Sequence, residues 1–185
     1  MILPVRDFDG MSRLSGVLSP RRRTKLSRAL CSVAVSAARN AELDVVVISS
    51  SPDVTNWAEV GGLHVWSDPG RGLSAAASAA VARMGRDPWI VLHADLPLVS
   101  AAALRQVSEA CEDAAVLVPS HDGGTNVIAS HGPFPFSYGL GSFHRHFAAV
   151  PDASIISTSE LSIDIDSPAQ LAAFPELVEP PSLST

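Results

Sequence analysis

Between Asp44 and Ser49 the chain reads Asp-Val-Val-Val-Ile-Ser. Four successive β-branched residues lose side-chain freedom in a helix and pack well on a pleated surface. A strand with no polar residue at alternate positions must be covered on both faces, as in the interior of a parallel sheet. Trp89–His93 is a second run of this kind. Between the two lie a helix entry and an alanine-rich segment, Leu73–Met84. Strands buried on both faces, separated by helical segments, restrict the chain to an α/β fold with a mostly parallel sheet and helices on both faces.

The remaining segments extend this alternation. Ile2–Val5 reads as a first strand, and Ser19-Pro20 as an N-cap and first helical position. The helix that follows puts Leu26, Leu30, Val33, Ala34 and Ala37 on one stripe. Leu63–Trp66 is a short strand, and Ser100 caps a helix reaching about Cys111. Ala115–Pro119 and Asn126–Ala129 are strands separated by His121-Asp122-Gly123-Gly124. Gly141-Ser142 opens a helix to about Ala149, and Leu161–Ile165 is a last strand. Ser167-Pro168-Ala169-Gln170 starts a final helix with a cap, a proline at its first position and a capping-box glutamine. With 185 residues, 46% of them hydrophobic, the chain is long enough for one sizeable core and too short for two. One domain over residues 1–176 and a loose tail over 177–185 are expected.

The formal charge of −6 argues against nucleic acid as a partner. Eight of the thirteen Lys+Arg nevertheless fall within residues 1–40, against two acids there. An anionic ligand near that region, or a solvated helix face, accounts for the bias. Cys31 and Cys111 sit in apolar helical patterns, as buried free thiols do. Met1-Ile-Leu-Pro-Val is too short for a signal peptide, and no apolar run approaches the roughly 20 residues of a membrane span. A cytoplasmic protein without a membrane partner is expected.

Ligands of open α/β sheets bind outside the carboxyl ends of the strands. Asp95 follows the apolar run Trp89–His93, and Asp164 and Asp166 end another. Residues two apart in a strand share a face, so Asp164 and Asp166 point one way while Ile163 and Ile165 point to the core. Like charges side by side are costly unless something positive lies between them, and magnesium is suited to such hard oxygen donors. Taken alone, Asp95 reads rather as the start of a turn before Pro97, and Asp166 as the start of the turn before Ser167-Pro168; it is the set that points to a metal. Gly70-Arg71-Gly72-Leu73, Gly123-Gly124-Thr125-Asn126 and Tyr138-Gly139-Leu140-Gly141-Ser142 are turns at element boundaries where backbone can approach an anion. Ser142 offers both hydroxyl and amide there. An ordinary helix-entry turn and an ordinary hairpin stay open for the first two. The six histidines lack zinc-ligand spacing, and no Gly-x-Ser-x-Gly elbow occurs, so covalent catalysis has no support.

Taken in order, these pieces resemble the guanylyltransferases of deazaflavin coenzyme F-420 biosynthesis, among the MobA-like nucleotidyltransferases. The resemblance is carried by Pro4-Val5-Arg6, Ser12-Arg13-Leu14, Asp68-Pro69-Gly70-Arg71-Gly72-Leu73, Ala94-Asp95-Leu96-Pro97, Asp122-Gly123-Gly124-Thr125-Asn126, Tyr138-Gly139-Leu140-Gly141-Ser142-Phe143 and Asp164-Ile165-Asp166. It implies a Rossmann-like nucleotidyltransferase fold. It also implies transfer of GMP from GTP to 2-phospho-L-lactate or phosphoenolpyruvate, with release of pyrophosphate. By the match, Asp95, Asp164 and Asp166 would be catalytic and would hold two Mg2+ ions. Thr125, Gly139 and Ser142 would receive the acid, and Arg13, Gly72 and Leu73 would face the nucleotide. Where the family usually carries a lysine before Ser-Arg-Leu the chain has Met11, and where an asparagine usually follows Gly-Leu it has Ser74. Arg6 and the Arg21–Arg23 run are the cations that would stand in for that lysine. The partners implied are GTP, the acid and a downstream transferase that consumes the product, for a monomer or homodimer. A molybdopterin nucleotidyltransferase would carry a Leu-Ala-Gly-Gly loop where this chain has Leu3-Pro4-Val5-Arg6. A non-catalytic nucleotide-binding homologue is the rival that Met11 and Ser74 support and the three aspartates oppose.

Overall fold

The structure, a computed structural model, describes residues 1–177. Its centre is a seven-stranded sheet. The strands are β1 (Ile2–Pro4), β2 (Val46–Ile48), β3 (His64–Trp66), β4 (Pro88–Leu92), β5 (Val116–Pro119), β6 (Thr125–His131) and β7 (Ser154–Ile155), in the order β3-β2-β1-β4-β6-β5-β7. All neighbouring pairs are parallel except the two involving β6, which runs against β4 and β5. The helices are α1 (Pro20–Asn40), α2 (Pro52–Val60), α3 (Leu73–Met84), α4 (Ala101–Ala110), α5 (Ser142–Ala149), α6 (Ser159–Ser162) and α7 (Pro168–Ala172).

The double-sided burial read from Asp44–Ser49 is realised residue by residue. On one face Leu3, Val47, Ile90, Leu92, Val118 and Val127 pack with Ala34, Ala38, Val54, Leu104 and Val107 of α1, α2 and α4. On the other, Ile2, Val46, Ile48, Trp89, Val91 and Ile128 pack with Ala76, Ala77, Ala80 and Val81 of α3. Fully burying one such Val, Leu or Ile side chain contributes roughly 1.5–3 kcal/mol. Trp89 is accommodated because its indole N–H donates to the Gly132 carbonyl at 2.9 Å. A third, smaller cluster, Leu14, Leu18, Leu26, Leu30, Ile165 and Leu171, joins the start of α1 to the C-terminal segment.

Three expectations need correction. Leu161–Ile165 is not a strand: Leu161 lies in the single turn α6, and Ile163 is only then extended. Its backbone partners are loops rather than a ladder. His121 N–H donates to Ser162 O at 3.1 Å, Ile165 N–H to Asp95 O at 3.0 Å, and Asn126 Nδ2 to Leu161 O at 3.0 Å. The expected alternation fails with the strand: Asp164 and Ile165 are both buried, while Ile163 and Asp166 are only partly so. Helix α2 was not foreseen, although Ser51-Pro52 carries the same entry signal as Ser19-Pro20. The two-residue β7 was not foreseen either, since nothing in its length marks it. The expected tail lies, from residue 178 on, outside the described residues. Among the described residues no helix is long and apolar enough to cross a membrane.

Candidate functional site

Chain order leaves β1 for β2 and β3 on one side and then jumps to β4 on the other. Between the carboxyl ends of β1 and β4 the following loops diverge, which opens a crevice at that switch point. A cleft of about 830 Å3 lies there. It is lined by Val5 and Arg6 after β1, Ser50 after β2, Gly70, Gly72 and Leu73 at the entry to α3, and His93 and Asp95 after β4. Gly72 has φ 86°, a conformation a side chain resists, and it enters α3 with no side-chain cap. The first amides of α3 are therefore without a capping side chain at the cleft wall. Met11, also at the cleft, adopts a left-handed φ of 56°. Arg6 reaches the cleft but pairs with Asp7 at 2.9 Å on an exposed surface.

Asp95 is the acid of the cleft, half-buried as a residue but with its Oδ1 shut off from solvent. Burial raises its carboxyl from 3.8 to about 6, and the neighbouring charge of Asp166 adds to the rise. Its Oδ1 is buried with no hydrogen-bond partner. Asp164 is buried, and its carboxyl is raised by burial and then by Asp95. His121 Nδ1 approaches Asp164 Oδ1 at 3.1 Å, while Arg13 forms an ion pair with Asp166. Gln170 ties this corner together. Its Oε1 accepts from Asp166 N–H at 3.0 Å, so its Nε2 is the donor that meets His121 Nε2 at 3.0 Å. The Ser167 cap closes on Gln170 N as expected, but the glutamine reaches Asp166 rather than back to the cap residue.

Two of the three aspartates thus have positive or hydrogen-bonding neighbours, and one has an unpaired oxygen. Among the described residues no group of three His, Cys, Asp or Glu side chains stands at metal-ligand spacing. The donor chemistry nonetheless fits a hard divalent cation. All three groups are carboxylates, Asp95 and Asp164 have pKa values raised by burial and then by a neighbouring aspartate, and Asp95 Oδ1 lacks a partner.

The predicted acid-binding residues gather next to this corner. Because β6 is reversed, its first residue, Thr125, stands at the edge where β4 and β5 end, and His93 N–H donates to Asn126 O across the gap at 2.9 Å. Thr125 Oγ1 lies 3.1 Å from Ser142 Oγ at the start of α5. Gly123-Gly124 forms the hairpin turn between β5 and β6, where a Cβ on Gly124 would stand 2.7 Å from Ser120 Oγ. Gly139 and Gly141 both have positive φ, 119° and 67°. Ser142 does not offer its amide, because that N–H donates to Gly139 O at 2.9 Å. Only the hydroxyl is available.

Three residues of this site escaped the sequence reading. Arg145 fastens the 137–140 loop, its guanidinium donating to Ser137 O, Ser137 Oγ and Leu140 O. His146 touches Thr125 Oγ1 through Nδ1 at 2.9 Å; its place four residues after Ser142 on α5 was the available signal. Tyr138 stands between His146 and His93, which lines the cleft. Its ring lies 5.2 Å from His93 and 5.2 Å from His146, and its N–H donates to Ser74 Oγ on α3 at 2.9 Å. Tyr138 Oη and His93 Nε2 are buried without partners, and burial lowers His93 to about 4.

Comparison with known proteins agrees with this arrangement. Residues 1–174 match the family described as "Guanylyl transferase CofC like". A phosphoenolpyruvate guanylyltransferase of Chloroflexus aggregans is 32% identical, covering 88% of this chain and 89% of the relative. A 2-phospho-L-lactate guanylyltransferase of Methanoregula boonei is 30% identical, covering 89% and 76%. Among solved structures, a nucleotidyl transferase from Methanothermobacter aligns with a TM-score of 0.64 at 15% identity, over 93% of both chains. A 4-diphosphocytidyl-2C-methyl-D-erythritol synthase aligns at 0.56 and 15%, over 96% of this chain and 98% of that one. At such identities the solved structures speak for the nucleotidyltransferase fold alone, whereas the family match spans nearly the whole chain. The chain belongs to the CofC-like guanylyl transferases.

Proposed function

We propose that the chain transfers GMP from GTP to a small phosphorylated three-carbon acid, 2-phospho-L-lactate or phosphoenolpyruvate, in the cytoplasm, as a step of coenzyme F-420 biosynthesis. The observation that carries the reading is the cleft at the switch point, which holds Gly72, Leu73, Arg6 and Asp95. The buried hydroxyl pair Thr125–Ser142 is joined to it through His146, Tyr138 and the cleft residue His93. Names of relatives at about 30% identity agree with both substrates.

The bond made joins an oxygen of the acid's phosphate to the α-phosphorus of GTP, and the bond broken releases pyrophosphate. A phosphate monoester has a second pKa of about 6, so near pH 7 the nucleophile is already mostly dianionic. No general base is required, in keeping with the pKa values of His93 and His146, which burial lowers to about 4. Catalysis then rests on alignment and charge neutralisation. Asp95, Asp164 and Asp166 would hold Mg2+, two ions in this reading, which would supply neutralisation of the transferring and leaving phosphates. Arg13 and Gln170 position Asp166, and His121 positions Asp164. Gly72 and Leu73 give the nucleotide a wall of free backbone amides. Gly139, held by Arg145, shapes the acid's entrance.

The test is incubation with GTP, magnesium and, separately, 2-phospho-L-lactate, phosphoenolpyruvate or a phosphoglycerate, with pyrophosphate measured. Release with one of the first two is the expected result. Silence with all three, despite GTP binding measured by calorimetry, would leave a nucleotide-binding protein without this activity.

A further inference from the structure

The carboxylate corner gathers more negative charge than the chemistry above uses. Asp95, Asp164 and Asp166 are joined there by Asp122, in the turn between β5 and β6, whose charge reaches both Asp95 and Asp164. Asp122 is fixed by its own turn: its Oδ1 accepts from the Ser120 hydroxyl and, at 3.0 Å, from Gly124 N–H. Against these four acids, among the described residues, one arginine or lysine forms an ion pair, Arg13 with Asp166.

The base of Arg13 is fixed and its tip is not. Leu14, next in the chain, is completely buried in the cluster that includes Ile165, and its N–H closes the turn on Met11 O at 2.9 Å. The Arg13 side chain is 70% exposed, and Asp166 is its one hydrogen-bond partner among the described residues. An ion pair so open to water is weak and parts readily. Asp166 does not depend on it for its backbone position, since Asp166 N–H is held by Gln170 Oε1 at 3.0 Å. The cleft is also within range of the arginine. Met11 lines it, and the two residues from Met11 to Arg13 span at most about 7 Å of chain. The guanidinium can turn from Asp166 to an anion in the cleft while its backbone stays in place. A divalent cation on Asp166 repels a guanidinium on the same carboxylate, whereas a nucleotide phosphate attracts it.

We infer that Arg13 is an exchangeable counter-ion: it neutralises Asp166 in the metal-free protein, leaves it when a divalent cation binds there, and turns to a phosphate in the cleft, so that cation and nucleotide favour each other's binding through this one side chain. The inference rests on the reading of the aspartates as a cation site beside a nucleotide cleft. The coupling is reciprocal: the cation frees Arg13 for the nucleotide, and the nucleotide, by taking Arg13, frees Asp166 for the cation.

Two binding measurements test this without turnover. In the first, Mn2+, a hard cation suited to carboxylates, is titrated into the metal-stripped protein without nucleotide, and free Mn2+ is read by electron paramagnetic resonance. Arg13→Gln should bind Mn2+ about threefold to fivefold more tightly than wild type, the size of one exposed ion pair, and Arg13→Lys should match wild type. In the second, GTP is titrated by calorimetry in EDTA. There Arg13→Gln should stay within about twofold of wild type, because Asp166 already engages the arginine. Asp166→Asn should gain about threefold to fivefold in GTP affinity, and the same change in the Arg13→Gln protein should gain less than about twofold. Mn2+ affinity that falls or stays level in Arg13→Gln overturns the inference while the cation site stands, since Arg13 then supports Asp166 instead of competing for it. Equal gains from Asp166→Asn with and without Arg13 also overturn it, because they report only the loss of a repelling charge. If GTP binding in EDTA is too weak to measure, the Mn2+ titration decides alone. Wild type that binds no Mn2+, with or without GTP, removes the cation-site reading itself, and the inference falls with it.

Discussion

Replacing Asp95 by Asn should make the metal-free protein more stable at neutral pH. The Asp95 carboxyl is pushed from 3.8 to about 6, chiefly because its charged form is desolvated. A group whose acidity is weakened by folding holds its proton more tightly in the native state, so native stability falls as pH rises from about 4 to about 6 and is level above. At about 1.36 kcal/mol per pH unit, the gap between 3.8 and 6 corresponds to about 3 kcal/mol at pH 7. Asn carries no charge to desolvate and avoids that penalty, though its amide inherits the place of the unpartnered Oδ1. A gain of about 1–3 kcal/mol is expected, or roughly 2–10 °C in a chain of this size. The assay is thermal unfolding in EDTA from pH 4.5 to 8, wild type against Asp95→Asn. The variant's advantage should be smallest near pH 4.5, about a third of its full size, and grow progressively up to about pH 7. Magnesium should then raise wild type and leave the variant unmoved, while pyrophosphate release vanishes in the variant. A melting difference that is independent of pH, or a variant less stable than wild type at pH 8, would refute the reasoning that Asp95 is a desolvated, uncompensated charge.

Other perturbations follow from the same contacts. Gln170→Ala removes the link from Asp166 N–H to His121 Nε2; it should lower kcat severalfold through misplaced Asp164 and Asp166, with a stability change of about 1 kcal/mol in urea unfolding. Gly141→Ala puts a side chain at φ 67°, which should cost about 1 kcal/mol and raise KM for the acid, measured together in melts and initial rates. Trp89→Phe strands the buried Gly132 carbonyl and should cost about 1–3 kcal/mol in denaturant titration, with kinetic constants unchanged in the surviving folded protein.

Much of this architecture was legible from local patterns because local patterns suffice for it. Val45–Ile48 and Trp89–Leu92 must be covered on both faces, and a helix must supply each cover. Capping signals at Ser19-Pro20, Ser100 and Ser167-Pro168 marked helix starts that the structure retains. The segment at 161–165 was misread for a physical reason: Leu161 is buried from the turn α6 against the main core and Ile165 against α1, so apolar residues at alternate positions do not here report a ladder with a neighbouring strand. Within the site, Asp95, Thr125 and Ser142 stood at element ends where ligands are met. His121, Arg145 and Gln170 did not announce themselves, because their importance lies in side-chain partners, as far as 49 residues away for His121 and Gln170, and pairing over such a distance is set by topology. Ser142 as an amide donor was overestimated, since the Tyr-Gly-Leu-Gly turn supplies its own acceptor in Gly139.

The small third core carries a dynamic consequence. Six aliphatic side chains hold residues 165–171 against the start of α1, apart from the two large faces of the sheet. The amides of this flap should exchange with solvent by local opening at a lower free energy than those of β4 or β6, and proteases should find it before they find the sheet. Asp166 rides on that flap and Asp164 immediately precedes it, whereas Asp95 follows the end of β4. A cation bound between the two bodies would work as a latch: its slowing of exchange at the Ile165 amide would report the closing of the corner in real time, independently of turnover.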